Sequence, residues 1–336
     1  MIITRTPLRI SIGGGGTDLP SYYGEFGGFV ISAAISKHVF IALNRKWQSG
    51  CMVKYASFET VENVSEIKHP IFREALLRHE IGDSLELASF ADVPAGTGLG
   101  SSGSFTVGLL HAIRAHKGLD VSPGVLAKEA CEIEIETLGQ AVGKQDQYIA
   151  AYGGLQCLDF HSDGTVTVDP LALSHRTRRD LQERLLMFFT GFARHAAQVL
   201  TDQKTRSLSG DRSMLDNLHL TKQLGLQARD MLEQGKTDCY AGLLREHWEH
   251  KRARSPGTSN DRINHLHQVG MENGALGGKL VGAGGGGFLL FFAEEPARLR
   301  RAMAAEGLEE LKFEFDLDGS YNVTENTHEE RLLCSV

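Results

Sequence analysis

Asp92-Val93-Pro94-Ala95-Gly96-Thr97-Gly98-Leu99-Gly100-Ser101-Ser102-Gly103-Ser104 is the stretch from which the architecture can be read. Before it, Leu85 to Phe90 has the composition of a short strand. After it, Phe105 to His116 is apolar at helical spacing and stops at Gly118. The stretch is therefore a glycine-rich loop that feeds a helix. Such a loop presents unpaired backbone N–H groups at the positive end of a helix dipole, and glycine lets the backbone approach an anion closely. Ser101 and Ser102 add hydroxyls able to meet a phosphate or a magnesium ion. A flexible turn would account for the glycines, but not for their placement between a strand and a helix beside two serines.

Two further glycine clusters flank this one, and glycine, at 38 of 336 residues, exceeds its ordinary share of about 7 %. Ile2 to Ile12 reads as a strand and runs into Gly13-Gly14-Gly15-Gly16-Thr17-Asp18. Gly277 to Gly287 leads into the apolar strand Phe288 to Phe292. Between these landmarks, Phe29 to Leu43 and Met52 to Phe58 read as strands and His69 to Glu80 as a helix. Pro123 opens a helix through Glu136, Gly139 to Gly143 breaks it, and another helix starts near Lys144. Leu155 to Phe160 and Leu185 to Thr190 read as strands, Ala196 to His250 as a long helical region, Asp261 to Asn273 as a helix and Leu311 to Leu317 as a strand. A chain of this length favours two domains. The composition shift at residues 175 to 185 divides it into 1–180 and 181–336.

Net charge of −7 argues against nucleic acid as a partner, since the basic runs, Arg176/Arg178/Arg179 and Lys251/Arg252/Arg254, are local. Five cysteines (Cys51, Cys131, Cys157, Cys239 and Cys334) form no CxxC pair, which fits a reducing cytoplasm. No apolar segment approaches the roughly 18 to 20 residues that span a bilayer, and the N-terminus lacks the apolar core of a signal peptide, so a cytoplasmic location without membrane attachment is expected. A Walker A loop needs Gly-Lys-Ser or Gly-Lys-Thr; the Gly-Lys pairs here are followed by Gln145 and Leu280. Pro20, soon after Gly13 to Gly16, argues against the helix that a dinucleotide fingerprint requires. The protein-kinase motifs His-Arg-Asp and Asp-Phe-Gly do not occur.

Pro94 to Ser104 resembles the ATP-phosphate loop of the GHMP kinases, small-molecule kinases named for galactose, homoserine, mevalonate and phosphomevalonate. Two more of their motifs stand in the same order: Thr6-Pro7-Leu8-Arg9-Ile10 with Gly13 to Asp18, and Lys279-Leu280-Val281-Gly282-Ala283-Gly284-Gly285-Gly286-Gly287. The resemblance implies an α+β fold with an N-terminal α/β domain, a C-terminal ferredoxin-like α+β domain and the site between them. It implies ATP and Mg2+ as cofactors, with Pro94, Gly96, Gly98, Leu99, Gly100, Ser101, Ser102 and Gly103 at the nucleotide phosphates. A finer resemblance is to bacterial kinases that phosphorylate the anomeric hydroxyl of D-glycero-D-manno-heptose 7-phosphate. It rests on Gly13 to Asp18, on Glu132 to Tyr148, on Phe189-Thr190-Gly191 followed by Arg194, and on Trp248 to Asn260. The Gly-Glu-His-Thr-Asp string of galactokinases is absent, which lowers galactose; a kinase of another sugar (galactose, fucose or a hexose phosphate) or a non-catalytic sugar or nucleotide sensor on the same fold are the alternatives.

From the resemblance come the roles. Asp146, in Gly143-Lys144-Gln145-Asp146-Gln147, is the expected catalytic carboxylate, which would accept or orient the hydroxyl proton, and Arg9 its partner cation. Asp146 could instead merely satisfy a helix dipole. Ser102 and Glu134 are the expected metal ligands. Glu132, Glu134 and Glu136 stand two apart, about 200° around a helix, so only one should face the site. Gly14, Gly15, Gly16, Asp18, Gly285 and Gly286 are expected at the substrate. Lys251 and Arg252, with Arg194 behind them, are expected at the substrate's own phosphate. The partner is thus a small sugar phosphate, and the protein a monomer or homodimer.

Overall fold

The computed structural model describes residues 1–82, 84–192 and 197–325. Its elements, in chain order, begin with β1 (Ile2–Gly14), α1 (Pro20–Phe26), β2 (Gly28–Arg45), β3 (Gly50–Lys54), β4 (Phe58–Val61), α2 (Pro70–Arg78) and β5 (Ser84–Ala91). Then come α3 (Ser101–His116), α4 (Pro123–Cys131), a π-helical turn (Glu132–Thr137), α5 (Gln145–Tyr152), β6 (Leu155–Phe160), β7 (Val166–Pro170) and α6 (His175–Arg184). The remainder is β8 (Leu185–Phe189), α7 (Ala197–Leu208), α8 (Arg212–Glu233), α9 (Thr237–Arg254), α10 (Asp261–Glu272), β9 (Ala275–Leu280), β10 (Phe288–Ala293), α11 (Pro296–Ala305) and β11 (Tyr321–Asn322).

The long strand β2 organises the first sheet. β1 pairs along most of its length, while β6 takes its first half and β5 its second; β3 joins β5 in parallel and β4 closes the edge. The second sheet has the order β8-β10-β9, antiparallel throughout. Leu185-Leu186-Met187-Phe188-Phe189 and Phe288 to Ala293 are unbroken apolar runs because both faces of this sheet are covered. Leu185, Met187, Leu290 and Phe292 enter the main core, while Leu186, Phe188, Leu289 and Phe291 pack with Trp248, Ile263 and Leu266 in a second cluster. The two sheets therefore share apolar packing, and the architecture is the expected α+β arrangement. No helix among the described residues is long and apolar enough to cross a membrane.

Several elements differ from expectation. Pro20 does not exclude a helix: it is the first residue of α1, where its missing N–H costs nothing. Leu311 to Leu317 is not a strand. Leu311 N bonds Met187 O beside β8, and Phe315 then bridges Ile35 of β2, so the segment crosses from one sheet to the other and its alternation reflects two partly formed edges. The tail from about residue 314 lies on the first sheet, where β11 pairs with β1, rather than with the rest of 181–336.

That tail is clasped by charge. Asp316 accepts from His38 Nε2 (2.7 Å) and from Arg5 Nη2 (3.2 Å), and the Arg5 guanidinium lies over the Tyr321 ring at 4.4 Å. Burial alone would raise the Asp316 carboxyl, but the His38 hydrogen bond, the Asp318 amide and Arg5 outweigh it and hold it below its ordinary 3.8. A carboxyl depressed on folding stabilises the fold above its ordinary value, and that contribution is lost as pH falls through the depressed one. Asp316→Asn is thus expected to cost about 2 kcal/mol at pH 7, read from urea unfolding, with the gap to wild type closing as pH drops below 3.8. Equal urea midpoints at pH 7 would remove the clasp.

Candidate active site

The glycine loop docks on the free edge of β1: Arg9 N donates to Leu99 O at 3.0 Å. From that point the Arg9 side chain reaches Asp146, in the first turn of α5, through two parallel bonds, Nε to Oδ1 at 2.7 Å and Nη2 to Oδ2 at 3.1 Å. Its remaining arm, Nη1, donates to Gly98 O at 2.5 Å. One guanidinium thus ties the carboxylate to the glycine loop. Such closeness requires glycine. A Cβ on Gly100 would lie 3.0 Å from Arg9 Cγ and 3.2 Å from Asp146 Cγ, and one on Gly103 only 2.7 Å from Asp146 Cβ.

A cavity of about 610 Å³ opens over this pair. Gly96, Gly98, Gly100, Ser101 and Ser102 line it, and the Ser101 hydroxyl, at the start of α3, is buried with no partner among the described residues. Those features fit a bound phosphate. The other three expected loop residues do different work. Pro94 is exposed and its carbonyl accepts from Thr97 Oγ1, Leu99 is core, and Gly103 is the spacer under Asp146.

Of the three glutamates, Glu134 alone is buried toward the site. The π-helical turn, closed by Leu138 N to Ile133 O, adds a residue to the helical repeat there. Ser102 Oγ donates to Glu134 Oε1, and Gln147 Nε2 to Glu134 Oε2 at 2.7 Å. Glu132 pairs with Arg78 instead, and Glu136 is exposed. Burial pushes the Glu134 carboxyl up and Asp146 adds to this, against the pull of the two hydrogen bonds. A buried carboxylate beside a hydroxyl is a hard-oxygen pair of the sort magnesium takes, supplemented by phosphate oxygens and water. Ser102 and Glu134 would hold it.

The first glycine cluster lines the same cavity. Gly14, Gly15 and Gly16 all have positive φ and line the cavity with Asp18. Asp18 accepts from Gly16 N (3.0 Å) and Gln145 Nε2 (3.0 Å), and burial, then the charge of Asp146, raises its carboxyl. The third cluster behaves otherwise. Gly282 and Ala283 reach the cavity, but Gly285, whose N–H bonds Thr258 O, and Gly286, packed against the Phe192 carbonyl, do not, which corrects their expected place at the substrate. They are spent on holding the loop against its neighbours.

Lys251 is buried in the cavity wall, its Nζ donating to Leu280 O (2.7 Å) and Gly282 O. Arg252, expected beside it, points outward and pairs with Glu249, because adjacent helix positions diverge by about 100°. The partners of Lys251 at the cavity are instead His247 and Arg254, four before and three after on α9, and Lys279 of β9. That spacing was the signal available in the sequence for His247 and Arg254. Arg194 lies outside the described residues. The apolar part of the cavity was not foreseen: Val39, Tyr55, His69, Ile71, Phe90 and Val93 line it, and among the described residues nothing pairs with the outer edge of β5 beyond Ala88, where β3 ends. Among the described residues no cluster of three or more His, Cys, Asp or Glu could hold a metal by itself.

Against this geometry stand the comparisons with known proteins. The GHMP kinases N terminal domain matches residues 67–154, and the GHMP kinases C terminal family matches residues 227–308. A D-glycero-alpha-D-manno-heptose 7-phosphate kinase from Campylobacter jejuni is 31% identical over 307 residues, covering 87% of this chain and 89% of that one. In fold, a D-glycero-D-manno-heptose 1-phosphate kinase from Bacteroides thetaiotaomicron superposes with a TM-score of 0.79 at 23% identity, over 96% of this chain and 98% of the other. Lactococcus lactis galactokinase complexed with galactose gives 0.74 at 16% identity, over 96% and 94%. With both domain matches in order and a relative aligned over most of its length, the chain belongs to the GHMP kinase family and is a small-molecule phosphotransferase.

Proposed function

We propose that this kinase transfers the γ-phosphoryl group of ATP, with Mg2+, to the anomeric hydroxyl of D-glycero-D-manno-heptose 7-phosphate. The observation that carries the chemistry is the Arg9–Asp146 pair, held under the glycine loop and facing the cavity. The sugar is supported by the similarity to the Campylobacter jejuni enzyme and by the surplus of buried cations on the side of the cavity away from the apolar end.

Each residue then has a physical task. The loop amides and the Ser101 hydroxyl receive the nucleotide phosphates at the head of α3. The purine stacks among Tyr55, His69 and Phe90 at the apolar end, where the free edge of β5 offers backbone hydrogen bonds. Asp18 accepts from sugar hydroxyls. Asp146 accepts the hydrogen bond of the attacking hydroxyl and takes its proton as the new P–O bond forms and the bond to the ADP oxygen breaks. Arg9 keeps the Asp146 carboxylate in one orientation and lies beside the transferring group, where negative charge spreads over the equatorial oxygens. The anomeric hydroxyl is more acidic than an ordinary alcohol, so a carboxylate suffices as base. Ser102 and Glu134 would hold magnesium, which would supply charge neutralisation at the phosphates.

Purified protein with MgATP is tested against D-glycero-D-manno-heptose 7-phosphate, sedoheptulose 7-phosphate, galactose, fucose, mannose 6-phosphate and mevalonate, by ADP release. Turnover on the heptose phosphate at rates far above the other five is expected; turnover on galactose or fucose instead would keep the kinase and reject the substrate. Asp146→Asn should lower kcat by about 10² to 10⁴-fold with an unchanged circular dichroism spectrum, and full activity in that variant would reject the base. Glu134→Gln should raise the Mg2+ concentration needed for half-maximal rate by about tenfold or more while leaving the sugar KM within a factor of two to three, and an unaltered Mg2+ dependence would remove Glu134 from the metal.

A further inference from the structure

α9 places His247, Lys251 and Arg254 on one face, and β9 brings Lys279 against them. All four are buried and all four line the cavity; Lys279 is 1 % exposed. Among the described residues, neither lysine nor Arg254 has a carboxylate within salt-bridge distance. Arg9, the fourth cation of this wall, is already matched by Asp146. Asp18, the other carboxylate here, accepts from the Gly16 amide and from Gln145; its charge favours the charged form of Arg254, but it makes no salt bridge with any of the three cations. Buried charge without a counter-charge is strongly unfavourable, so a fold that keeps three such cations together keeps them for an anion.

The cluster is also built rather than incidental. Arg254 is fixed by Asn217 Oδ1 (2.8 Å), Thr221 Oγ1 (2.7 Å) and Gly15 O (3.3 Å), and Lys251 by the carbonyls of Leu280 and Gly282. Lys279 is different: its Nζ makes a single contact, at 3.4 Å, with His247 Nδ1. An ammonium with three donors and one long contact has donors to give. Burial, then the charges of Arg9 and Arg254, push Lys279 down to about 7, and burial with Lys279 and Arg254 pushes Lys251 well below its usual value. A bound dianion would relieve this mutual repulsion. Arg254 anchors the cluster to Gly15 of the first glycine loop, on the acceptor side, whereas the nucleotide phosphates have the separate amides and hydroxyls of Gly96 to Ser102.

We propose that Lys251, Arg254 and Lys279 form an anion subsite for the phosphate ester that the acceptor sugar itself carries, separate from the loop that receives the nucleotide. The inference rests on the sugar-kinase reading above. Its consequence is discrimination: the cations make an acceptor lacking a phosphate leave them unmatched, so a neutral sugar binds poorly even where its hydroxyls fit.

The test compares D-glycero-D-manno-heptose 7-phosphate with the same heptose lacking its phosphate, in wild type, Lys279→Met and Arg254→Gln. Wild type is expected to favour the phosphorylated sugar in kcat/KM by on the order of 100-fold or more, charged hydrogen-bonded contacts from three cations being involved. Lys279→Met should cut that preference at least about tenfold through the KM of the phosphorylated sugar, leaving KM for MgATP within about twofold. Arg254→Gln, which keeps a donor for Gly15 and Thr221, should do the same and guards against one variant failing to fold. A wild-type preference near one, or a preference untouched in both variants, overturns the subsite. A rise in KM for MgATP alone would give the cations to the nucleotide and overturn it equally. If wild type turns over neither sugar, the sugar-kinase reading has failed. The subsite is then judged on inorganic phosphate with saturating MgADP present: a rise in melting temperature in wild type that Lys279→Met abolishes supports it, and no rise rejects it.

Discussion

The Arg9 guanidinium is the constraint around which the site is built. It has five donors in a rigid fork, and here the fork is divided between a carboxylate on α5 and a carbonyl of the glycine loop. Because β1 carries Arg9 and also supplies the amide that docks Leu99, the loop, the carboxylate and the first sheet are located by one residue. A lysine could not divide itself this way, being a point charge on a flexible stem. The glycines at 98, 100 and 103 follow from the same requirement, since side chains there would occupy the space in which arginine, aspartate and the neighbouring backbones meet. A pair positioned at this closeness before any substrate arrives would, in its proposed catalytic role, not have to be organised during the reaction.

Around that pair the charges fall into two kinds. Arg9 is neutralised within the protein; Lys251, Arg254 and Lys279 are not. The distinction separates positioning from binding. A matched cation holds chemistry in place in the free enzyme, whereas an unmatched buried cation stores unfavourable energy that an anionic ligand removes. Glu134 is the acidic counterpart. It is buried, raised by burial, and stabilised for now by Ser102 and Gln147 rather than by a cation.

Much of this was legible in the chain because phosphate binding has a local signature: strand, glycine loop, serines and helix are contiguous, and the resemblance pointed to Arg9, Asp146 and Glu134, which the fold gathers beside that loop. What failed was spatial. Arg252 adjoins Lys251 in sequence but leaves the helix on another side, and the residues that join Lys251 come from one helical turn away and from a different sheet. The apolar end drew on β2, β5, α2 and loops between them, with no repeated spacing to betray it. Pro20 was misjudged because proline breaks a helix only beyond its first turn. Leu311 to Leu317 alternates as a strand does, yet its hydrogen bonds are split between two sheets, and no pattern within the segment can reveal which edge it will meet.

The glycines are needed for different reasons. Gly14, Gly15 and Gly16 all adopt backbone conformations that side chains rarely take, but only on Gly15 would a Cβ have room; one on Gly14 would lie 2.3 Å from Phe29 O and one on Gly16 2.4 Å from Arg254 Nη1. Gly282 and Gly287 face other backbones: a Cβ on the first would lie 2.6 Å from Gly98 Cα, and on the second 2.2 Å from Thr97 O. The third cluster is therefore a spacer that lets β9 and β10 abut the nucleotide loop at backbone distance. That abutment also explains the position of Lys251 and Lys279. With Gly282 pressed on Gly98, its carbonyl is free to fix Lys251, and the strand that ends there delivers Lys279 to the same wall. Two loops that touch through glycine thus set the amides and hydroxyls of Gly96 to Ser102 and the buried cation cluster into one cavity, the arrangement that the proposed transfer to a phosphorylated acceptor would require.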